Sequence, residues 1–380
     1  MRLRVIAGSG VLLLLSACSA TAASTAPAVT SPAPSAAQGG AQSASATPLA
    51  TAQPKSAQPT STPATSVTIA AVGDTMLGNT PDLPPDPAGY YDAVKTELRH
   101  NAQIVFGNLE GTLTTAPGNK CGSSEGITCF AFRDPPSYAR YYRDAGFTIL
   151  NDANNHSYDF GAAGQAQTVT SIRSVGMKQT GLPGEITTVT VKGVKVAFVA
   201  FAPYDWTANL LNLRVAQTLI KQAKREASVV VVYMHAGAEG ADADHVTGRE
   251  EIYLGEDRGN PEAFAHMAIS AGASLVLASG PHVLRGMQFY QGHLIAYSLG
   301  DFANYGDFAI DGDLDTSAIL HVTLSSAGSF ESARIYPVLL TGKGSPSPGG
   351  DAVSFIRGLS QDDFGSSAAR ISSSGTITRP

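Results

Sequence analysis

Charge is scarce in this chain: only 15% of its 380 residues are Asp, Glu, Lys or Arg, and the formal net charge is −6. No Lys/Arg stripe offsets that mild acidity, which excludes a general nucleic-acid binder and removes nucleic acid from the expected partners. Cysteine is scarcer still, with three residues. Two of them, Cys121 and Cys129, lie eight apart in a Gly/Ser-rich stretch without the further Cys or His that a thiolate metal site needs. The apolar run that closes at 11–15 is too short to span a bilayer as a stable helix. Residues 19–66 contain no aromatic side chain and a single charge, Lys55. Repeats and a clear internal linker are missing too, so one large α/β domain is the simplest account of the remainder.

What is present divides the chain. Residues 1–18 read as an export signal, with Arg2 and Arg4 as its positive start and the short apolar run behind them. The segment ends Leu15-Ser16-Ala17-Cys18, which resembles a bacterial lipobox. That resemblance implies a diacylated Cys18 at the mature N-terminus, holding the exported protein on the outer face of the bacterial cell membrane. Ordinary signal cleavage beside an incidental Cys is the alternative. Residues 19–66, nearly all Ala, Ser, Thr, Pro and Gln, bury too little apolar surface to offset ordering entropy and are expected to form a disordered tether. In an exported protein Cys121 and Cys129 are expected to form a disulfide that closes a small loop.

From residue 67 short apolar runs alternate with helical patterns. Strands are expected at 67–72, 104–106, 147–150, 229–234 and 274–277. Hairpins are expected around Lys192-Gly193 and Gln291-Gly292, and two further strands at about 317–324 and 333–340. Helices are expected at 91–100, 136–145, 162–175, 209–227 and from Pro261 to residue 270. The folded domain is placed at 67–345, with 346–380 a weakly ordered tail apart from a short helix near 352–359.

Five strand-like runs end in a polar cluster holding Gly and an oxygen or imidazole ligand: Asp74; Glu110 with Asn108; Asn155 with His156; His235 with Glu239; and His282. The densest is 151–161, Asn-Asp-Ala-Asn-Asn-His-Ser-Tyr-Asp-Phe-Gly. Taken singly, each has an ordinary explanation: an Asp after a strand caps or turns, an Asn pair makes a turn, and a semi-buried His is hydrogen-bonded. Five together point to one site, because ligands gather outside the carboxyl ends of strands in open α/β sheets. The mixed oxygen and nitrogen set suits a divalent Mn, Fe or Zn ion. His100, His245, His266, His293 and His321 lack this context and are left as structural or surface residues.

Four motifs carry a family resemblance: Gly73-Asp74 with Met76-Leu77-Gly78; Asn108-Leu109-Glu110-Gly111; Ala153-Asn154-Asn155-His156 with Asp159 and Gly161; and Tyr297-Ser298-Leu299-Gly300-Asp301-Phe302. In that order they resemble the CapA family (the bacterial capsule or poly-γ-glutamate synthesis protein domain), within the calcineurin-like metallophosphatase superfamily. The resemblance spans 67 to about 340. It implies a four-layer α/β/β/α sandwich, with Asp74, Glu110, Asn155, His235 and His282 as metal ligands and Glu110 at the bridging position. It further implies His156 as the catalytic imidazole and Asp159 as the residue that orients it. Departures are visible. Met76 stands where Asp-x-His has its His, Ala278-Ser279-Gly280-Pro281-His282 keeps one His where the family form has more, and Asp301 replaces an Asn. One ion, or two weakly held ions helped by Glu239 or Asp301, is therefore expected. Asn108 is a candidate further oxygen ligand or substrate contact, and Arg285 and Arg133 are the candidate substrate contacts for an anionic polymer that the net charge would otherwise repel.

Two functions follow. One is an exported, lipid-anchored, metal-dependent hydrolase of a phosphoester or an envelope polymer. The other is a non-catalytic accessory of capsule assembly that binds glycan or poly-γ-glutamate on a degenerate metallophosphatase fold.

Overall fold

The computed structural model describes residues 65–124, 126 and 129–380. The expected signal, Cys18 and nearly all of the expected tether therefore lie outside the described residues. Ser66, placed at the end of that tether, already belongs to the first strand, Ser66–Thr75. Among the described residues no helix is long and apolar enough to cross a membrane.

Two large sheets organise the chain. The first runs, edge to edge, through Arg370–Ile371, Thr376–Thr378, Phe330–Thr341, Thr316–Ser325, Ser66–Thr75, Ile104–Leu109, Ile149–Asn151 and Lys178–Thr180. Asp301–Ala303 and Ser345–Pro348 pair beside this path. The second runs through Met287–Tyr290, His293–Ala296, Leu275–Ser279, Val229–His235, Val194–Ala202 and Thr187–Val191. The strands that carry the expected ligands run parallel to one another within each sheet, whereas Ser66–Thr75 is antiparallel to Thr316–Ser325 on its other side.

These strands read as continuous apolar runs because both of their faces are buried. Ile69 and Ala71 face Phe198, Val231 and Tyr233 of the other sheet in the central core, whereas Ala70 and Val72 face outward onto Leu98, Tyr142 and Ile172. Val230, Val232 and Met234 likewise face outward, onto Ala216, Ile220, Phe264 and Ala268. Helices therefore cover the outside of each sheet: Lys95–Arg99, Ala139–Ala145 and Gly161–Ser174 on the first, Leu213–Glu226 and Pro261–Ala271 on the second. The result is the α/β/β/α sandwich expected from the resemblance.

Three expectations need correction. Residues 346–380 are not a weakly ordered tail. Ala352–Phe364 is a helix whose Ala352, Ile356 and Phe364 enter the core, and Thr376–Thr378 pairs with Phe330–Thr341. Its apolar residues are spread thinly among Gly and Ser, so the local pattern understated them. The helix expected at 91–100 shortens to Lys95–Arg99 because Tyr91 is drawn into the core, stacked on Phe302. The helix expected from 209 starts at Leu213, where the Asn212 side chain accepts from the Val215 N–H at 3.2 Å. That is ordinary N-capping.

Candidate metal centre

The parallel strands of both sheets end on one edge of the sandwich. Ser66–Thr75 delivers Asp74, Ile104–Leu109 delivers Asn108 with Glu110 next to it, and Ile149–Asn151 leads into the 151–161 turn. From the other sheet, Val229–His235 delivers His235 and Leu275–Ser279 delivers Ser279, three residues before His282. Gly73 is what lets the edge close. A Cβ there would collide with the Gly300 carbonyl, so the strand lies against that loop, the Asp74 N–H donates to the Gly300 oxygen at 2.9 Å, and Asp74 is in register with Asp301. His282 holds φ +62°, in the left-handed region that non-glycine residues seldom adopt.

Ligand atoms of Asp74, Glu110 and His235 all lie within 4.8 Å of one another, and so do those of Asp74, His282 and Asp301. Asp74 is common to both groups, whereas Glu110, which the resemblance implies at the bridging position, falls in one of them. The strand register decides this. Asp74 sits between the two sheets, accepting from Asn108 Nδ2 at 2.7 Å on one side and from the Ser279 hydroxyl and the Gly280 N–H on the other. Asn108 Nδ2 also donates to Glu110. His235 Nε2 stands 3.5 Å from Glu110 Oε1, and His282 Nδ1 lies 2.8 Å from Asp301 Oδ1 and 3.4 Å from Asp74 Oδ2.

Several buried atoms here have no hydrogen-bond partner: Glu110 Oε1, His235 Nε2, Asp301 Oδ2 and Asn155 Oδ1. Buried polar atoms are nearly always satisfied, and four orphaned oxygens and nitrogens on the residues expected to bind metal fit a divalent cation. Electrostatics agree. Burial, then the Asp74 carboxylate, pushes the Glu110 carboxyl well above its usual range. Burial holds His235 well below its usual value, in the neutral form that ligates metals. Burial pushes Asp301 up to about 6 against the pull of His282. For Asp74, burial is outweighed by the groups around its carboxylate, the hydrogen bond from His282 chief among them, which lower it. Burial also opposes charge on His282, but Asp301, Asp74 and Glu239 raise it well above the ordinary imidazole value.

Beside this cluster the 151–161 turn is pinned by Asn154. Its Nδ2 donates to Asn108 Oδ1 and the Leu109 carbonyl at 3.0 and 2.7 Å, and its Oδ1 accepts from the His156 N–H. His156 Nδ1 lies 2.8 Å from Asp159 Oδ2, which also accepts from the Phe132 N–H at 2.7 Å. The carboxylate assigns the proton to Nδ1 and leaves Nε2 for chemistry. Burial lowers the His156 pKa, with Asp159 opposing.

The structure thus brings together Asp74, Asn108, Glu110, His235, His282 and Asp301, with Glu239 Oε2 3.8 Å from His282 Nε2. His156 and Asp159 form the expected pair on the adjoining turn, where Asn155 carries its unpaired oxygen. Arg285 is not a substrate contact: it is buried, its guanidinium grips Glu251 at 2.7 and 3.1 Å, and its Nε donates to the Ala243 carbonyl. Arg133 lies over the Phe160 ring and donates to the Ala116 carbonyl. Cys121 and Cys129 form the expected disulfide.

Sequence reasoning missed three residues. Lys120 places Nζ 2.7 Å from Asp159 Oδ1 and 3.1 Å from the Asn155 carbonyl, and its N–H donates to the Asp159 carbonyl at 2.7 Å. Its position immediately before Cys121 was the available signal, since the disulfide loop holds it against the turn. Ser279 is a donor to Asp74 and contacts Tyr233, so it is more than a lost His. Arg258, buried beside Glu239, follows the Glu256–Asp257 strand and had no motif to mark it.

Comparison with known proteins matches residues 68–305 to the family described as bacterial capsule synthesis protein PGA_cap. The PGA biosynthesis protein CapA of Bacillus subtilis (strain 168) is 26% identical over 251 residues, 61% of this chain and 61% of that protein. The capsule biosynthesis protein CapA of Bacillus anthracis is 31% identical over 180 residues, 42% of this chain and 41% of its own length. The chain thus matches less than two thirds of either relative. Among solved structures, a 5'-nucleotidase precursor from Thermus thermophilus aligns at 13% identity and TM-score 0.39, covering 78% of this chain and 59% of its own. A purple acid phosphatase from yellow lupin seeds aligns at 10% identity and TM-score 0.36, covering 73% and 52%.

Proposed function

The chain belongs to the family of bacterial capsule synthesis proteins PGA_cap, and from that premise we propose that it is an exported, metal-dependent hydrolase acting on a phosphoester or on an envelope polymer such as poly-γ-glutamate. The observation that carries this reading is the set of buried, unpaired ligand atoms on Glu110, His235, Asp301 and Asn155, next to a turn that holds His156 ready for proton transfer. Asp74, Glu110 and His235 would hold one ion, and Asp74, His282 and Asp301 a second. Such a cation polarises the substrate oxygen and lowers the pKa of bound water.

The chain's own residues do the rest. Asp159 holds the His156 Nδ1 proton, and its charge favours, against burial, a second proton on Nε2; so protonated, His156 would act as a general acid or an electrostatic stabiliser of the leaving oxygen. Lys120 balances the Asp159 charge and, through the Asn155 carbonyl, ties both ends of the turn together. Asn108 holds Asp74 and Glu110 in one orientation.

Purified full-length protein is expected to carry a divalent metal and to cleave a generic phosphodiester, and both Asp74→Ala and His156→Ala to abolish cleavage. Metal-free protein whose activity survives both changes would overturn the reading. Anchoring through a lipid on Cys18 is part of the proposal: Cys18→Ser is expected to move the protein from the membrane fraction to the medium, and retention in the membrane would refute it.

A second reading, a non-catalytic binder of capsule polymer, is favoured by Ser279, a neutral donor to Asp74 in a motif where the family has His. It requires that folded His156→Ala still complement a deletion strain. Loss of complementation would remove it.

A further inference from the structure

We propose that Arg258 is the oxyanion-binding residue of this centre, taking two oxygens of a carboxylate or phosphoryl group on its Nε and Nη2 edge. The inference rests on reading the cluster as the substrate-binding site. It does not depend on hydrolysis, and it holds equally for an enzyme or a binder.

Arg258 is only 1% exposed. A guanidinium is almost never that buried unless paired. Its Nη1 donates to Glu239 Oε1 at 2.7 Å, whereas Nε and Nη2 have no partner. Those two nitrogens form one edge of the planar guanidinium, with parallel N–H bonds spaced to match two oxygens of a carboxylate or phosphate. A compact cation such as lysine offers no such fork.

Arg285 provides an internal comparison. It is equally buried, yet its Nε donates to the Ala243 carbonyl and its two terminal nitrogens grip Glu251. One buried arginine is fully occupied by the protein, and the other leaves its bidentate edge unpaired. Leaving two charged donors unmet carries a desolvation cost that a ligand would offset.

Position ties Arg258 to the centre. Its carbonyl accepts from the N–H of Gly237, two residues after His235, and its own N–H donates to the Glu251 carbonyl at 2.8 Å. Glu239, which holds Nη1, reaches within 3.8 Å of His282 Nε2. The backbone bonds fix the Arg258 main chain, and Glu239 holds its guanidinium through Nη1. In a chain of net charge −6, such a preset local cation is what would admit an anion that the overall field repels. The expected ligand class is therefore an anionic substrate with two oxygens on one centre; a neutral glycan would leave the fork unmet.

The test is calorimetric titration of full-length protein with inorganic phosphate and, separately, with glutarate, in wild type, Arg258→Lys and Asp74→Asn. Arg258→Lys keeps the charge beside Glu239 and removes only the fork, so unchanged thermal stability and metal content would certify its fold. At least one of the two anions is expected to bind wild type and to bind Arg258→Lys roughly tenfold to a hundredfold more weakly. Phosphate would identify a phosphoryl source and glutarate a carboxylate one. Equal affinity in wild type and Arg258→Lys, or binding of neither anion to wild type, would overturn the inference. The two readings fail separately. If Asp74→Asn retains its metal, the metal assignment fails while an Arg258-dependent affinity still supports the fork. If metal is lost as expected but anion affinity ignores Arg258, only the fork fails.

Discussion

Replacing Glu110 by Gln tests whether the unpaired atoms of the centre are waiting for a cation. Glu110 is fully buried; burial and then Asp74 drive its carboxyl well above the usual range, and its Oε1 has no donor. The amide keeps the side chain's shape and an acceptor for Asn108 Nδ2, so metal-free Glu110→Gln should be at least as stable as metal-free wild type. The metal-loaded proteins should differ. A cation that binds only the folded state, supplied at 100 times its Kd, stabilises wild type by about 2.7 kcal/mol. For a folded part of about 300 residues, an unfolding entropy of about 2.1 cal/mol/K per residue gives about 0.6 kcal/mol/K in total, so the melting temperature should rise by about 4 °C. Glu110→Gln should show little of that rise at the same concentration. Thermal unfolding by circular dichroism, in chelator and then in millimolar Mn or Zn, reads both. A wild type indifferent to every divalent ion, or a variant with the full shift, would refute the metal assignment.

Lys120→Met removes the cation that the disulfide loop lays on Asp159. Lys120 is 35% exposed but Asp159 is fully buried, so the variant leaves a buried carboxylate oxygen unpaired and stability should fall by about 1–3 kcal/mol, while cleavage falls about tenfold and amide exchange across 155–159 accelerates; unaltered exchange would show that Lys120 does not hold the turn. Gly73→Ala places a Cβ into the Gly300 carbonyl, and urea unfolding should show a loss of at least about 3 kcal/mol; a fully stable variant would contradict the close approach that sets Asp74 beside Asp301. Burial, with His100 adding to it, lowers His321 to about 4 from 6.5. Between those values the unfolded chain binds a proton that the folded chain excludes. The contribution of this His is therefore complete above pH 6.5 and is lost as the pH falls towards 4, on the order of 2 kcal/mol. His321→Gln should flatten the stability profile in that window, and an identical slope would exclude His321 as its source.

Much of the centre is legible in the sequence because a strand buried on both faces must be apolar throughout, so its polar end stands out. Asp74, His235 and the 151–161 turn are visible for that reason, and a shared edge follows once the runs are read as parallel strands. The hairpins at Lys192-Gly193 and Gln291-Gly292 are legible for a local reason: both lysine and glutamine hold positive φ, at 48° and 49°, beside a glycine that does the same. Locality fails at 346–380, where a few apolar residues matter only because the open end of the sandwich receives them.

The sequence by itself determined which residue types could hold a cation and that they would collect at one edge, since burial and strand period dictate both. Only the tertiary structure decided how they are shared. Asp74, and not Glu110, lies in both ligand groups because contact between the two sheets brings Ser279 and Gly280 onto its carboxylate. The long cations were likewise settled by the fold. Arg285 and Arg133 looked free and are engaged by Glu251 and by Phe160, whereas Lys120 and Arg258, in stretches without a motif, reach Asp159 and Glu239. A flexible side chain of several rotatable bonds goes where its partners are, and those partners are distant in the chain.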